Sequence, residues 1–180
     1  MGEVNVIIVN GYPRAGKDTF VNYCLWELRE YGYAISTVDS IKEIAYKAGW
    51  DGEKTPEARK ALSDLKDIFS KWLDLSYNEV KEKICYIKDE AIAYDLNPNK
   101  FFLFIHSREP EEIARFVKDF NAITVFIDRP QEETEYSNHA DEKVENYKYD
   151  FIISNDGTLS QLQTNAKLFL AQIKDERGIE

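Results

Sequence analysis

The sequence predicts an α/β protein of three layers, in which helices cover both faces of a parallel sheet of five strands. Short and almost wholly apolar runs recur along the chain, which is typical of parallel strands buried on both faces. Helical patterns separate these runs, as such a sheet requires. Hydrophobic residues make up 43% and aromatic residues 13% of the 180 residues. This composition excludes a disordered chain and favours one domain over 1–180.

Five apolar runs are the predicted strands. Each is short enough to cross one sheet, and the last is the shortest. They lie at Val4–Val9, Ala34–Val38, Phe101–Ile105, Ile123–Ile127 and Phe151–Ile153.

The first three helices are predicted from apolar stripes and from residues that cap helix ends. The first helix follows Lys17, and Ser40 is placed to cap the second. Thr55 and Pro56 form an N-cap followed by proline at the first helical position of the third. Trp72 ends the apolar stripe of this third helix, and we expect its side chain to be packed.

The fourth and last helices each begin with a capping-box pattern. Ser76 with Glu79 forms the first pattern, and Thr158 with Gln161 forms the second. The segment of about sixty residues between the second and third strands is too long for one crossover helix. It predicts a helical insertion over about 40–98, which is a natural place for an acceptor site.

Charge and cysteine content restrict the partners and the compartment. The 33 acidic and 23 basic residues give a net charge of -10, which disfavours a nucleic-acid partner. Cys24 and Cys85 both fall in apolar helical patterns, so we expect two reduced core thiols. No signal peptide or membrane span is indicated, which predicts a cytoplasmic protein. No sequence pattern indicates an oligomeric state.

The strongest local signal is the segment Gly11–Thr19, which follows the first strand and opens a helix. Gly11 and Gly16 let the backbone curl, so that N–H groups can point at phosphate oxygens next to the helix N-terminus. Lys17 can bridge the β- and γ-phosphates of a nucleotide. A chance glycine-rich turn is disfavoured because strand, loop, lysine and helix are in register. The predicted nucleotide-binding residues here are Gly11, Ala15, Gly16, Lys17, Asp18 and Thr19.

Asp18 occupies the loop position at which serine or threonine usually binds Mg²⁺. A carboxylate there can hold the ion directly or through water, while Thr19 binds a phosphate. Asp18 and Thr19 are therefore the predicted metal and donor-phosphate residues.

The Gly-Lys-Asp-Thr loop resembles that of phage-type deoxynucleoside monophosphate kinases and the related animal-type phosphomevalonate kinases. The resemblance runs from Val4 to about Leu162. It implies a P-loop kinase fold, ATP as the phosphoryl donor, Mg²⁺, and a small nucleotide as substrate. Besides the loop, it rests on Asp39–Lys42, Ile105–Arg108, His139–Glu142 and Tyr149–Leu159.

The resemblance also implies that Asp39, Lys42, Arg59 and Arg108 bind the acceptor, with the three cations holding its phosphate. From the residues alone, Lys42 and Arg59 are equally well explained as solvated surface charges. Arg108 could instead pair with a neighbouring glutamate, although its place after a buried strand favours a ligand.

On the donor side, the resemblance places the Asn155–Gly157 turn near the donor base and a lid over about 129–142. Arg129 is the one cation between Ile127 and His139, so we expect it to contact the donor. A lid normally brings positive charge over the moving phosphoryl group. We therefore expect Arg14 and Arg108 to share this task with Lys17, as the catalytic residues. His139 is explained as well by a polar loop.

The sequence thus predicts ATP-dependent phosphorylation of a (deoxy)nucleoside monophosphate. Two alternatives stay open at this point. One is a kinase of another phosphorylated metabolite, such as phosphomevalonate. The other is an ATP-binding sensor without catalysis, because His106 replaces the aspartate that the resemblance leads us to expect at the end of the third strand.

Overall fold

Five parallel strands form one sheet at the centre of the molecule. The computed structural model describes residues 2–130 and 147–179. In chain order the strands are β1 Asn5–Asn10, β2 Gly32–Ser36, β3 Phe102–His106, β4 Ile123–Asp128 and β5 Phe151–Ser154. Their order across the sheet is β2-β3-β1-β4-β5, and every neighbouring pair is parallel. The predicted five-stranded parallel α/β architecture is confirmed.

Helices cover both faces of this sheet. Their bounds are α1 Lys17–Leu28, α2 Asp39–Lys47, α3 Pro56–Leu73, α4 Leu75–Ala93, α5 Pro110–Phe120 and α6 Leu159–Glu176, with short 3₁₀ turns at Arg29–Tyr31 and Pro98–Lys100. Helix α5 has no individual assignment in the sequence analysis. Within 2–130 and 147–179, no helix combines the length and the apolar character needed to cross a membrane.

The strand β2 differs from its prediction, because it begins and ends two residues earlier. Its pairing with β3 runs from Gly32 opposite Phe102 to Ser36 opposite His106. The backbone N–H of Thr37 still reaches the His106 carbonyl at 3.2 Å, but the chain then turns into α2. This places Asp39 in the first turn of α2, beside the carboxyl edge of the sheet.

The core is divided by the sheet into two apolar clusters. Alternate strand residues face opposite sides because the side-chain period of a strand is two. On one face, helices α1 and α6 pack on the sheet, with Ile7, Val9, Phe20, Cys24, Phe104 and Phe169 all buried. On the other face, helices α4 and α5 do so, with Val6, Ile8, Val80, Ile87, Leu103 and Phe116 all buried.

The predicted insertion consists of α2, α3 and α4, which lie between β2 and β3. Helix α3 contacts α2 and α4 and has no buried residue. The prediction that Trp72 is packed is wrong, since its side chain is 73% exposed. No described helix covers the outer side of α3, so an amphipathic stripe here does not mark a core.

Two predicted caps are wrong, and two are confirmed. Helix α2 begins before Ser40, whose hydroxyl donates to Glu79 instead. Helix α4 follows Asp74 directly, and the Ser76 hydroxyl donates to the Thr37 carbonyl at 3.1 Å. Tertiary contacts thus replace local capping at both serines. At α3 and α6 the caps form as predicted, with Thr55 accepting from Ala58 and Thr158 and Gln161 bonded reciprocally.

The two cysteines differ in environment. Cys24 is fully buried in α1, and burial raises the pKa of its thiol well above the usual range. Cys85 is exposed on α4, so its predicted place in the core is wrong. Both thiols are free.

Candidate functional site

The loop between β1 and α1 has a backbone that requires glycine at two positions. Gly11 has a φ of 144° and Gly16 a φ of 94°, both in the region that disfavours other residues. A Cβ at Gly11 would lie 2.5 Å from the Ile127 carbonyl oxygen, and one at Gly16 would lie 2.4 Å from Asn155 Nδ2. The loop therefore fits tightly against the ends of β4 and β5.

Polar side chains from the sheet hold this loop in place. Asn10, fully buried at the end of β1, accepts from the Gly11 N–H at 2.8 Å and donates to the Tyr149 hydroxyl at 2.7 Å. Asn155 Nδ2 donates to the Ala15 carbonyl at 2.8 Å. Asn155 thus supports the loop, and the place of its turn near the donor base stays a prediction. The sequence analysis missed Asn10, although an asparagine closing an apolar strand just before the glycine is a readable signal.

Lys17 lies across the loop at the start of α1. Its Nζ donates to the carbonyl oxygens of Gly11 and Tyr12, at 2.7 Å in both cases. The N-terminus of α1 adds positive potential at the same place, because the helix dipole and its free N–H groups point there. Loop, lysine and helix end together form a site for an anion such as a phosphate group.

Asp18 and His106 face each other beside this loop. Asp18 is 92% exposed in the first turn of α1, and its Oδ1 lies 3.8 Å from His106 Nδ1 at the end of β3. Burial lowers the pKa of His106, and Lys17 and Arg108 lower it further, while Asp18 and Asp39 act in the opposite direction. The net effect favours the neutral imidazole.

Four predicted site residues lie near enough to His106 to influence the pKa of its ring. Lys17 and Asp18 come from the loop and α1, Arg108 from the segment after β3, and Asp39 from the start of α2. All four follow the carboxyl ends of parallel strands, which lie at one edge of the sheet, where open α/β sheets bind ligands.

The other predicted residues lie on separate elements of the chain. Asp39 accepts from the Ser36 N–H at 2.8 Å and from Lys42 Nζ at 3.0 Å, so Lys42 is held at the start of α2. Arg59 is half-buried near the beginning of α3. Three further predicted residues are exposed, namely Arg14, Arg129 and Gly157. The predicted lid over about 129–142 lies outside the described residues beyond Pro130, and so does His139–Glu142.

The donor groups near the loop fit a magnesium ion that accompanies a nucleotide. Among residues 2–130 and 147–179, no group of three or more His, Cys, Asp or Glu could hold a metal ion. Asp18 and Thr19 offer one carboxylate and one hydroxyl. Mg²⁺ in phosphate-transfer sites typically takes one or two protein carboxylates and fills its other positions with water and substrate phosphates.

Comparisons with known proteins show the fold. No protein-family model and no curated protein matches the chain. The structure of TT1252 from Thermus thermophilus is similar to it, with 16% identity, a TM-score of 0.50, and coverage of 95% of this chain and 98% of that one. The fold is a three-layer P-loop fold. This follows from the parallel order β2-β3-β1-β4-β5 and the glycine-rich loop between β1 and α1.

Two further solved structures, both kinases, are less similar to the chain. Shikimate kinase from Aquifex aeolicus vf5 has 16% identity, a TM-score of 0.45, and coverage of 96% of this chain and 99% of that one. A sugar kinase from Janibacter sp. HTCC2649 has 12% identity, a TM-score of 0.44, and coverage of 93% and 95%. At these identities the likeness concerns fold alone. The resemblance to deoxynucleoside monophosphate kinases stays a prediction.

Proposed function

We propose that this protein is an ATP-dependent phosphotransferase that converts a (deoxy)nucleoside monophosphate to the diphosphate. One observation carries the proposal. The Lys17 ammonium lies across a loop in which both glycines have conformations that glycine alone adopts easily. This loop lies at the edge of the sheet, near Asp18, His106 and Arg108. Such an arrangement can hold a triphosphate and place cationic groups next to its terminal phosphate.

Binding of the ATP phosphates needs backbone N–H donors, a flexible cationic side chain and neutralisation of negative charge. The loop around Ala15 and Gly16 and the start of α1 would bind the phosphates, and Lys17 would exchange its carbonyl contacts for phosphate oxygens. Arg14, at the exposed tip of the loop, can approach the same oxygens. Asp18 and Thr19 would hold Mg²⁺, which when bound neutralises negative charge on the donor phosphates.

The acceptor side would be formed by the insertion and by the segment after β3. Arg108 follows β3 directly, Lys42 is held by Asp39 at the start of α2, and Arg59 lies near the start of α3. Lys42 and Arg108 follow the carboxyl ends of β2 and β3, which are neighbours in the sheet. Three cations on separate elements suit a phosphorylated acceptor, because phosphoryl transfer depends on positioning and charge rather than on covalent help from the protein.

The test is a coupled ADP-release assay with ATP and Mg²⁺ over the common ribo- and deoxyribonucleoside monophosphates, with phosphomevalonate as a further acceptor. We expect turnover with at least one nucleoside monophosphate. Turnover with phosphomevalonate alone would move the proposal to that class of metabolite kinase. ATP binding without turnover on any acceptor would contradict a phosphotransferase and support a sensor.

The variant Lys17→Ala identifies the loop as the site of this activity. Its side chain is not part of the core, so the fold should persist by circular dichroism. Removal of a preorganised charge of this kind lowers rates by on the order of 100-fold or more. Near-normal turnover by the folded variant would contradict the role of the loop.

A further inference from the structure

Glu112 joins three elements that belong to different parts of the molecule. It lies in the first turn of α5, and its Oε2 accepts from the Ser107 hydroxyl and from Lys66 Nζ, the latter at 3.0 Å. Ser107 is 1% exposed and lies between His106 and Arg108. Lys66 lies in the middle of α3. One carboxylate therefore contacts both the segment after β3 and the inserted helix.

The Lys66–Glu112 ion pair is mostly shielded from water, unlike the Lys60–Asp64 pair within α3. The side chains of Lys66 and Glu112 are 14% and 16% exposed, whereas those of Lys60 and Asp64 are 73% and 56% exposed. Breaking a shielded ion pair is costly, since removal of one partner leaves an uncompensated charge in a poorly solvated place. An exposed pair contributes little.

Helix α3 lies outside the core and packs on its neighbours α2 and α4. It has no buried residue, so the two apolar clusters of the sheet do not fix its position. At its C-terminal end, Asp74 forms a two-pronged pair with Arg115 of α5, at 2.7 Å to both nitrogens. The Lys66–Glu112 and Asp74–Arg115 pairs thus both join α3 to α5. The Asp74 and Arg115 side chains are each 44% exposed, and this pair lies at the opposite end of α3 from Arg59.

We propose that Glu112 is a positioning residue that fixes the inserted helix α3 relative to the phosphate site, through Lys66 on one side and Ser107 on the other. The inference rests on the proposed function, in which α3 holds the acceptor through Arg59. Glu112 itself contacts no reacting group. Its ionised carboxylate sets the distance between the acceptor-binding helix and the segment that carries His106 and Arg108.

The test uses Lys66→Met and Glu112→Gln, which keep most or all of the side-chain length and remove the attraction between opposite charges. Lys60→Met is the control on the same helix. We expect both variants to raise the acceptor KM by about fivefold or more, a usual size for coupling between sites, with the ATP KM unchanged. Because the two residues act through one contact, the double variant should be no worse than the more impaired single variant.

Hydrogen–deuterium exchange supplies a readout that does not depend on turnover. We expect faster exchange of the α3 amides in Lys66→Met and Glu112→Gln, with α1 and α6 unchanged, and no change in Lys60→Met. Additive kinetic effects in the double variant, equal rises in the KM of ATP and acceptor, or α3 exchange equal to that of Lys60→Met would each overturn the inference. A wild-type protein without turnover would instead contradict the proposed function, and the exchange data would still decide whether Glu112 fixes α3.

Discussion

At the scale of single residues, the site places opposite charges next to each other in sequence. Lys17 turns back over the loop, while Asp18 is exposed on the other side of the first turn of α1 and faces His106. A lysine and an aspartate in this order allow one residue to contact phosphate oxygens and the next to contact a cation bound to them. Local sequence thus separates the two tasks by one position.

Asp18→Asn tests the second of these tasks. We expect the magnesium concentration for half-maximal activity to rise by about fivefold, since one unit charge at 4 Å in water is worth about 1 kcal/mol. ATP binding without metal should stay equal or tighten, because a negative charge near the phosphates is lost. Magnesium titrations of the turnover rate measure the effect, with the exposed Asp89→Asn of α4 as control. An unchanged magnesium dependence would remove Asp18 from the metal site.

Tyr149 gives a pH-dependent prediction for the support of the loop. Burial raises the pKa of Tyr149 to about 12, although the bond with Asn10 favours the phenolate. In the unfolded chain the pKa is about 10, so the neutral phenol stabilises the native state below pH 10. This contribution is lost as the pH rises from about 10 to 12, because the unfolded state releases the proton first.

We therefore expect Tyr149→Phe to lower the free energy of unfolding at pH 7 by about 1 kcal/mol, since the amide of Asn10 loses its acceptor. The difference from wild type should shrink between pH 9 and pH 11. Urea denaturation at pH 7, 9 and 11 measures this. A difference that grows with pH would show that burial does not favour the neutral phenol.

At the scale of elements, the proposed acceptor and donor residues lie on different parts of the chain. Arg59 lies near its N-terminus, whereas the loop and the Asn155–Gly157 turn lie at the ends of β1 and β5. Under the proposed function, a change in the insertion should therefore alter acceptor binding without altering the loop.

Arg59→Ala tests this separation. We expect weaker nucleoside monophosphate binding by about 1.5–3 kcal/mol, the usual range for a charge-assisted bond, which is about 10- to 150-fold in Kd. ATP affinity should change less than about twofold. Calorimetric titration of each ligand measures both constants, and Lys60→Ala, the next residue of α3, is the control. Equal weakening of both ligands would indicate structural damage, and no effect would return Arg59 to a surface role.

Element by element, local signals made much of the fold predictable. The loop is recognisable from Gly11, Gly16 and Lys17, because the two glycines adopt the positive φ angles that its backbone needs. The start of α6 is recognisable from the capping box of Thr158 and Gln161. Long-range contacts were not predictable. Ser76 looks like a cap in sequence, but it bonds the Thr37 carbonyl.

The contacts that build the site are also distant in sequence. Asn10 and Tyr149 are 139 residues apart, and Lys66 and Glu112 are 46 residues apart. No pattern of spacing links such pairs. The loop was thus readable from sequence, whereas the side chains that hold it, and those that hold α3, required the structure.

At the scale of the whole molecule, α1, which follows the loop Gly11–Thr19, packs on α6. Phe20, in the first turns of α1 after the loop, packs on Phe169 of α6 with ring centroids 5.6 Å apart. Phe151 of β5 contacts the same ring edge-on, at 5.2 Å. Arg177 donates to Asn5 Oδ1 at 2.9 Å and so joins the end of the chain to the beginning of β1.

Phe169→Ala should therefore destabilise the whole domain rather than one helix. Truncation of a buried phenylalanine lowers the free energy of unfolding by about 3–5 kcal/mol. The neighbouring Leu168 is 63% exposed, so Leu168→Ala should change it by less than about 0.5 kcal/mol. Chemical denaturation followed by fluorescence and by circular dichroism compares the two. Similar small effects in both variants would mean that α6 contributes little to the core.

The pairing of the first and last helices has a consequence for synthesis on the ribosome. The loop and α1 are made well before α6, which contains Phe169, the ring that packs on Phe20. Asn155, which bonds the Ala15 carbonyl, is also made long after the loop. The loop therefore acquires its full set of contacts late, and a chain interrupted before Tyr149 has both glycines and Lys17 without the Asn10–Tyr149 and Asn155–Ala15 bonds.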